Sequence, residues 1–71
     1  MKIKDYIIHN FKDDDKNTLR NTITECIIDD DEETLPGMGV FLELIWQGAN
    51  EDIKKRMLDI LHQEIQKKKD E

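Results

Sequence analysis

The stretch Leu35-Pro36-Gly37-Met38-Gly39-Val40-Phe41-Leu42-Glu43-Leu44-Ile45-Trp46-Gln47 decides where a chain of this size can build a core. It contains the only long apolar run, the single Pro, the single Trp and two of the three Gly. A short apolar run is compatible with a buried strand or a helix. Helix is favoured here, because the neighbouring segments carry helical periodicity and a lone strand would have no edge to pair with. On a helical wheel the apolar side chains of residues 38–49 cover about 240°, with Glu43 and Gln47 in the gap, whereas a one-sided surface helix needs roughly 100°. The expectation is a central helix over residues 38–48, around which the rest of the chain packs, with Trp46 mostly buried. Leu35-Pro36-Gly37-Met38 reads as the turn before it, since Pro presets φ and Gly tolerates positive φ. Gly39, where the helix begins, reads as a close-packing position, and Gly48 as a left-handed C-terminal cap.

Three further helices follow from spacing. Ile3, Ile7 and Phe11, with Tyr6 beside them, lie on one helical face before Asp13-Asp14-Asp15 breaks the pattern. Asp15 or Asn17 can cap a second helix with Leu19, Ile23, Cys26 and Ile27 on its inner stripe. Asp29-Asp30-Asp31-Glu32-Glu33 ends that helix, because carboxylates are unfavourable near a helix C-terminus. Asn50 caps a last helix with Glu51 and Asp52 in its first turn and Lys67-Lys68-Lys69 at its end, both matching the macrodipole. Ile53, Met57, Ile60, Leu61 and Ile65 form its expected inner face. The fold class expected is all-α: about four short helices in one domain over residues 1–71.

Seventy-one residues bury only about 60% of their unfolded-state surface, so stability is marginal. A disulfide within the chain is excluded because Cys26 is the only cysteine, and a lone thiol fits a reducing compartment. No apolar run approaches the roughly 20 residues needed to span a bilayer, and no signal-peptide pattern opens the chain. A soluble, cytoplasmic protein without membrane association is expected. The charge is uneven: five bases stand against ten acids up to Leu35, and six against seven from Pro36 onward. The net charge of −6 opposes nucleic-acid binding, since nonspecific affinity comes from Lys and Arg displacing counterions.

Catalytic chemistry has little material. There is no Ser, and Cys26 sits on an apolar stripe near a helix C-terminus followed by acids, the opposite of a thiolate-stabilising setting. His9 and His62 are isolated and have no zinc-ligand spacing. Calcium loops beginning at Asp13 or Asp29 lack the Gly at position six (Thr18, Thr34) and the Glu at position twelve (Thr24, Val40). Gly37-Met38-Gly39 lacks the rest of a phosphate loop. No enzyme activity, cofactor or metal is expected.

The Leu35-Pro36-Gly37 opening, Met38 before Gly39-Val40, the acidic Glu43 and the closing Ile45-Trp46-Gln47 resemble the type I minor small acid-soluble spore proteins of endospore-forming bacteria. The resemblance extends over nearly the whole chain: its length, the Thr22-Ile23 helix before the acidic loop, and the Met57-Leu58 helix after the motif. Two departures are a more acidic first half and a more basic C-terminal tail. The resemblance implies a protein made in the forespore and held in the spore core, with Leu35, Pro36, Gly37, Gly39, Val40, Ile45 and Trp46 as structural motif positions. Ile8, Ile28 and Leu58 fall off the inner stripes and form a candidate surface for a protein partner or for self-association. Their exposure on one face would favour an adaptor; scattered exposure would favour an inert component.

Overall fold

The computed structural model describes residues 2–69, which are all-α as expected. Helix α1 spans Ile3–Phe11, α2 Lys16–Asp29, α3 Leu35–Gly48 and α4 Glu51–Lys69, with a 3₁₀ turn at Glu32–Thr34 leading into α3. No strand occurs among the described residues.

Local chemistry explains most boundaries. Asp15, rather than Asn17, caps α2: its carboxylate accepts from the Thr18 N–H at 2.8 Å. That bond, the largest contribution, holds the Asp15 carboxyl below its ordinary range. A lowered carboxyl contributes stability above the unfolded value that is lost as pH falls through the folded one. Asp15→Ala should therefore lower the melting midpoint at neutral pH, and the difference from the parent should shrink as the pH falls through the lowered value of the folded carboxyl. A gap that persisted under acid would show that the cap acts through something other than its charge.

Helix α2 ends at Asp30, which adopts the left-handed conformation (φ 48°, ψ 41°) while its N–H donates to the Cys26 carbonyl at 3.1 Å. It is the only non-glycine residue with positive φ among those described. Glycine is the usual occupant of this cap; Asp tolerates it better than most residues because its side chain is short and polar. Asp31 restarts the chain, accepting from the Glu33 N–H at 3.0 Å. The acidic run is thus a helix end, a cap and a 3₁₀ turn rather than a featureless loop.

The expected turn at Leu35–Met38 is instead the first turn of α3. Pro36 occupies one of the first two helical positions, where a missing N–H costs nothing and a fixed φ suits the helix as well as a turn. No glycine has positive φ, so Gly48 closes α3 as a helical residue and Ala49 is the extended cap. The close-packing role expected for Gly39 is also corrected: a Cβ built there, or at Gly37, meets nothing within 4 Å. Gly37 lies in the first turn of α3 and Gly39 in its interior, neither with a steric reason, so Gly39→Ala should stabilise the fold by about 0.5–1 kcal/mol through helix propensity. A lower thermal midpoint would reveal a neighbour that needs the bare backbone.

Asn50 begins α4 as predicted, its side-chain oxygen accepting from the Ile53 N–H at 2.9 Å. Glu51 and Asp52 occupy the first turn, and Lys67, Lys68 and Lys69 the last.

Helix α3 is the hub, but the packing around it is looser than a bundle. Val40, 9% exposed, is the one buried side chain among the described residues. Helix α1 crosses α3 through the Phe11–Phe41 edge-to-face pair (centroids 5.0 Å apart, planes at 79°) and a 2.7 Å ion pair from Lys4 to Glu43. Leu19 and Ile23 of α2 are half-buried and border the same depression as Phe11, Val40 and Phe41. Helix α4 meets the other side, with Lys54 Nζ 5.2 Å from the Trp46 ring centroid. Trp46 is 38% exposed, which corrects the expectation of a mostly buried indole. Of the expected inner face of α4, only Met57 is half-buried; Ile53, Ile60, Leu61 and Ile65 are exposed, as is Ile27 of α2. A folded chain of 8.4 kDa normally exposes roughly 4,600 Å². This one exposes 6498 Å². Its radius of gyration, 13.7 Å, also exceeds the roughly 11 Å of a compact domain of this length.

Candidate interaction surfaces

The motif positions of the sequence all fall on α3, which presents three sides. Val40 and Ile45 face the α1–α2 depression of about 340 Å³, whose rim includes Ile8. Gly39, Leu42 and Trp46 face α4 across a second open depression of about 450 Å³, completed by Met57, Leu58 and Leu61. Leu35 and Met38 meet Cys26 and Ile27 near the acidic 3₁₀ turn. Pro36 and Gly37 lie in the first turn and serve the helix start.

Ile8, Ile28 and Leu58 do not converge. Ile8 belongs to the first depression and Leu58 to the second, while Ile28, 74% exposed, stands at the end of α2 and borders neither. Exposed apolar side chains stand on both sides of the second depression: Leu42 and Trp46 of α3 with Leu58 and Leu61 of α4. Periodicity marked Leu61 and Ile65 as apolar, and it could not show that α3 covers too little of α4 to bury them. The 19 residues of α4 run about 28 Å against about 21 Å for the 14 of α3, so the C-terminal turns of α4 overhang.

Two polar contacts among the described residues join helix to helix and turn to turn. Glu43, the acid inside the apolar run, accepts from Lys4 at 2.7 Å, and Gln47 approaches the same carboxylate oxygen at 3.5 Å. This fills the polar gap of the α3 wheel. The Glu64 carboxyl is held below its ordinary range by a hydrogen bond from Lys67 and then by its charge, and the Lys67 ammonium is raised by the same contact, 2.8 Å long. This ion pair is exposed and screened by salt. Among the described residues no three His, Cys, Asp or Glu side chains converge as metal ligands. None of the described helices is long and apolar enough to cross a membrane. Cys26 is half-buried on its stripe.

Comparison with known proteins covers most of the chain. The family model for small, acid-soluble spore protein I matches residues 1–65. Proteins named small, acid-soluble spore protein I are similar throughout: that of Geobacillus kaustophilus is 38% identical over 65 residues, covering 92% of this chain and 94% of its own. That of Bacillus licheniformis is 35% identical over 68 residues, covering 96% and 97%. One from Bacillus cereus is 36% identical over 61 residues, covering 86% and 88%. No solved structure matches the chain. The matches take in all four helices, including the α3 motif and nearly all of α4, and the chain belongs to the small, acid-soluble spore protein I family.

Proposed function

We propose that the protein is a non-enzymatic component of the spore core, made during sporulation and held in the spore interior. Membership of a spore-protein family over residues 1–65 carries this reading. The chemistry of the molecule supports the non-enzymatic part: the carboxyls and the amine with clearly shifted pKa are a helix cap and a surface ion pair, both with structural duties. The separation of Ile8, Ile28 and Leu58 favours a structural component over an adaptor with one dedicated docking face. Fractionation of spores from the parent bacterium tests the assignment: an antibody should find the protein in the acid extract of decoated spores and not in vegetative cells. Recovery from vegetative cytoplasm, or only from the coat fraction, would overturn it.

The reading excludes a DNA coat. The net charge is −6, and of the two basic clusters, Lys54-Lys55-Arg56 and Lys67-Lys68-Lys69, Lys54 lies over Trp46 and 3.8 Å from Glu51, while Lys67 is paired with Glu64. Coating needs several phosphates neutralised per protein. A gel-shift titration on duplex DNA at about 150 mM salt should show no complex. Saturable micromolar binding would make DNA protection the role instead.

A further inference from the structure

We propose that Met57 is an oxidation-sensitive residue at the joint between α3 and α4, and that its conversion to the sulfoxide by a peroxide loosens α4 from α3. The inference goes beyond the proposed spore role and stands independently of it. Burial singles the residue out. Of the 19 residues of α4, only Lys54 and Met57 are half-buried, and the rest are exposed. Lys54 lies with its Nζ 5.2 Å from the Trp46 ring centroid, so Met57 is the one apolar side chain of α4 withdrawn from water. It lines the α3–α4 depression with Leu42 and Trp46 of α3 and with Leu58 and Leu61 of its own helix, all four of them exposed. The joint has no second enclosed apolar contact on the α4 side.

The chemistry needs only access to sulfur, and the depression is open to solvent. The thioether sulfur attacks one oxygen of hydrogen peroxide. The S–O bond forms as the O–O bond breaks, and the proton on the transferred oxygen passes to the departing hydroxide. Sulfur loses two electrons, and the peroxide is reduced to water. The product is a polar side chain in place of a flexible apolar one.

Its oxygen accepts hydrogen bonds, and an acceptor buried without a donor is costly. The lining offers little to it. The Glu43 carboxylate is itself an acceptor, already bonded by Lys4 at 2.7 Å and approached by Gln47 at 3.5 Å. The indole of Trp46 is the one side-chain donor among the lining residues. Water satisfies the sulfoxide more fully, and the side chain reaches it by leaving α3. Met38 provides the contrast. It is half-buried too, but it lines the depression beside Cys26 and the acidic turn, to which α4 contributes no residue.

The full chain treated with hydrogen peroxide should gain one oxygen on Met57 by peptide mass spectrometry. Hydrogen exchange in the first half of α4 should then be at least about tenfold faster, with α1 unchanged. Methionine sulfoxide reductases A and B, one for each epimer, should restore the slow rates in the same sample. Met57→Leu keeps an apolar side chain of similar volume and removes the sulfur. Its exchange should not respond to peroxide, whereas Met38→Leu should respond as the parent does. Oxygen gained on Met38 and not on Met57 would overturn the proposal, as would a Met57 sulfoxide that leaves α4 exchange unchanged. Equal loss of protection in peroxide-treated Met57→Leu would overturn it as well, and would assign the effect to Met38 or Cys26.

Discussion

Val40→Asp should abolish the cooperative unfolding transition. Val40 is the most enclosed side chain described, placed where α3 meets α1 and α2. An aspartate there either carries an unpaired charge into the apolar centre of the described helices or binds a proton to avoid it, at a cost of several kcal/mol. Domains of this size have about 5 kcal/mol or a little more to lose. Thermal melts followed by circular dichroism should show a broad, non-cooperative decline and a weaker helical signal at 25 °C. Val40→Ala should keep a transition, destabilised by about 1–3 kcal/mol. A sharp transition in the Asp variant would mean that the site is open enough to hydrate a carboxylate and that the core lies elsewhere.

The aromatic pair between α1 and α3 is expected to have the next largest effect. Phe11 and Phe41 are each half-buried, and their rings meet edge to face at 5.0 Å. Full burial makes Phe→Ala cost about 3–5 kcal/mol, so roughly 2 kcal/mol each is expected here. For a domain this short that corresponds to a midpoint lower by about 10 °C. Their cycle should show a coupling of about 0.5–1.5 kcal/mol, the range for such ring pairs. Strict additivity would mean that the rings pack on other groups and not on each other. Lys4→Ala should matter far less, since its ion pair with Glu43 is partly exposed and such pairs contribute little.

How far the sequence spoke depended on the range of the interaction. Local features were legible: the Asp15 and Asn50 caps, the helical period of Ile3, Ile7 and Phe11, and the basic end of α4 each depend on residues within a turn or two. The polar gap at Glu43 and Gln47 was visible on the wheel, though its partner Lys4, 39 residues away in sequence, was not. Pro36-Gly37 misled because proline fixes a φ shared by turns and helix starts, and the glycines never use their freedom. Trp46 and the inner face of α4 misled for a different reason. Apolar spacing says which side chains would profit from burial, and it does not say whether a chain of this length has enough surface elsewhere to bury them. The separation of Ile8 from Leu58 was hidden likewise, because it depends on which side of α3 each neighbouring helix takes.

Helix α3 is the hub of the fold and α4 its least supported helix, with only Lys54 and Met57 half-buried. Hydrogen exchange followed by mass spectrometry on the full chain at low micromolar concentration tests this directly. Protection against exchange follows local stability. Peptides spanning Val40–Trp46 should exchange most slowly, those of α1 at intermediate rates, and those of the second half of α4 fastest. Slowest exchange in α4, or equal protection of all four helices, would contradict a fold organised around α3.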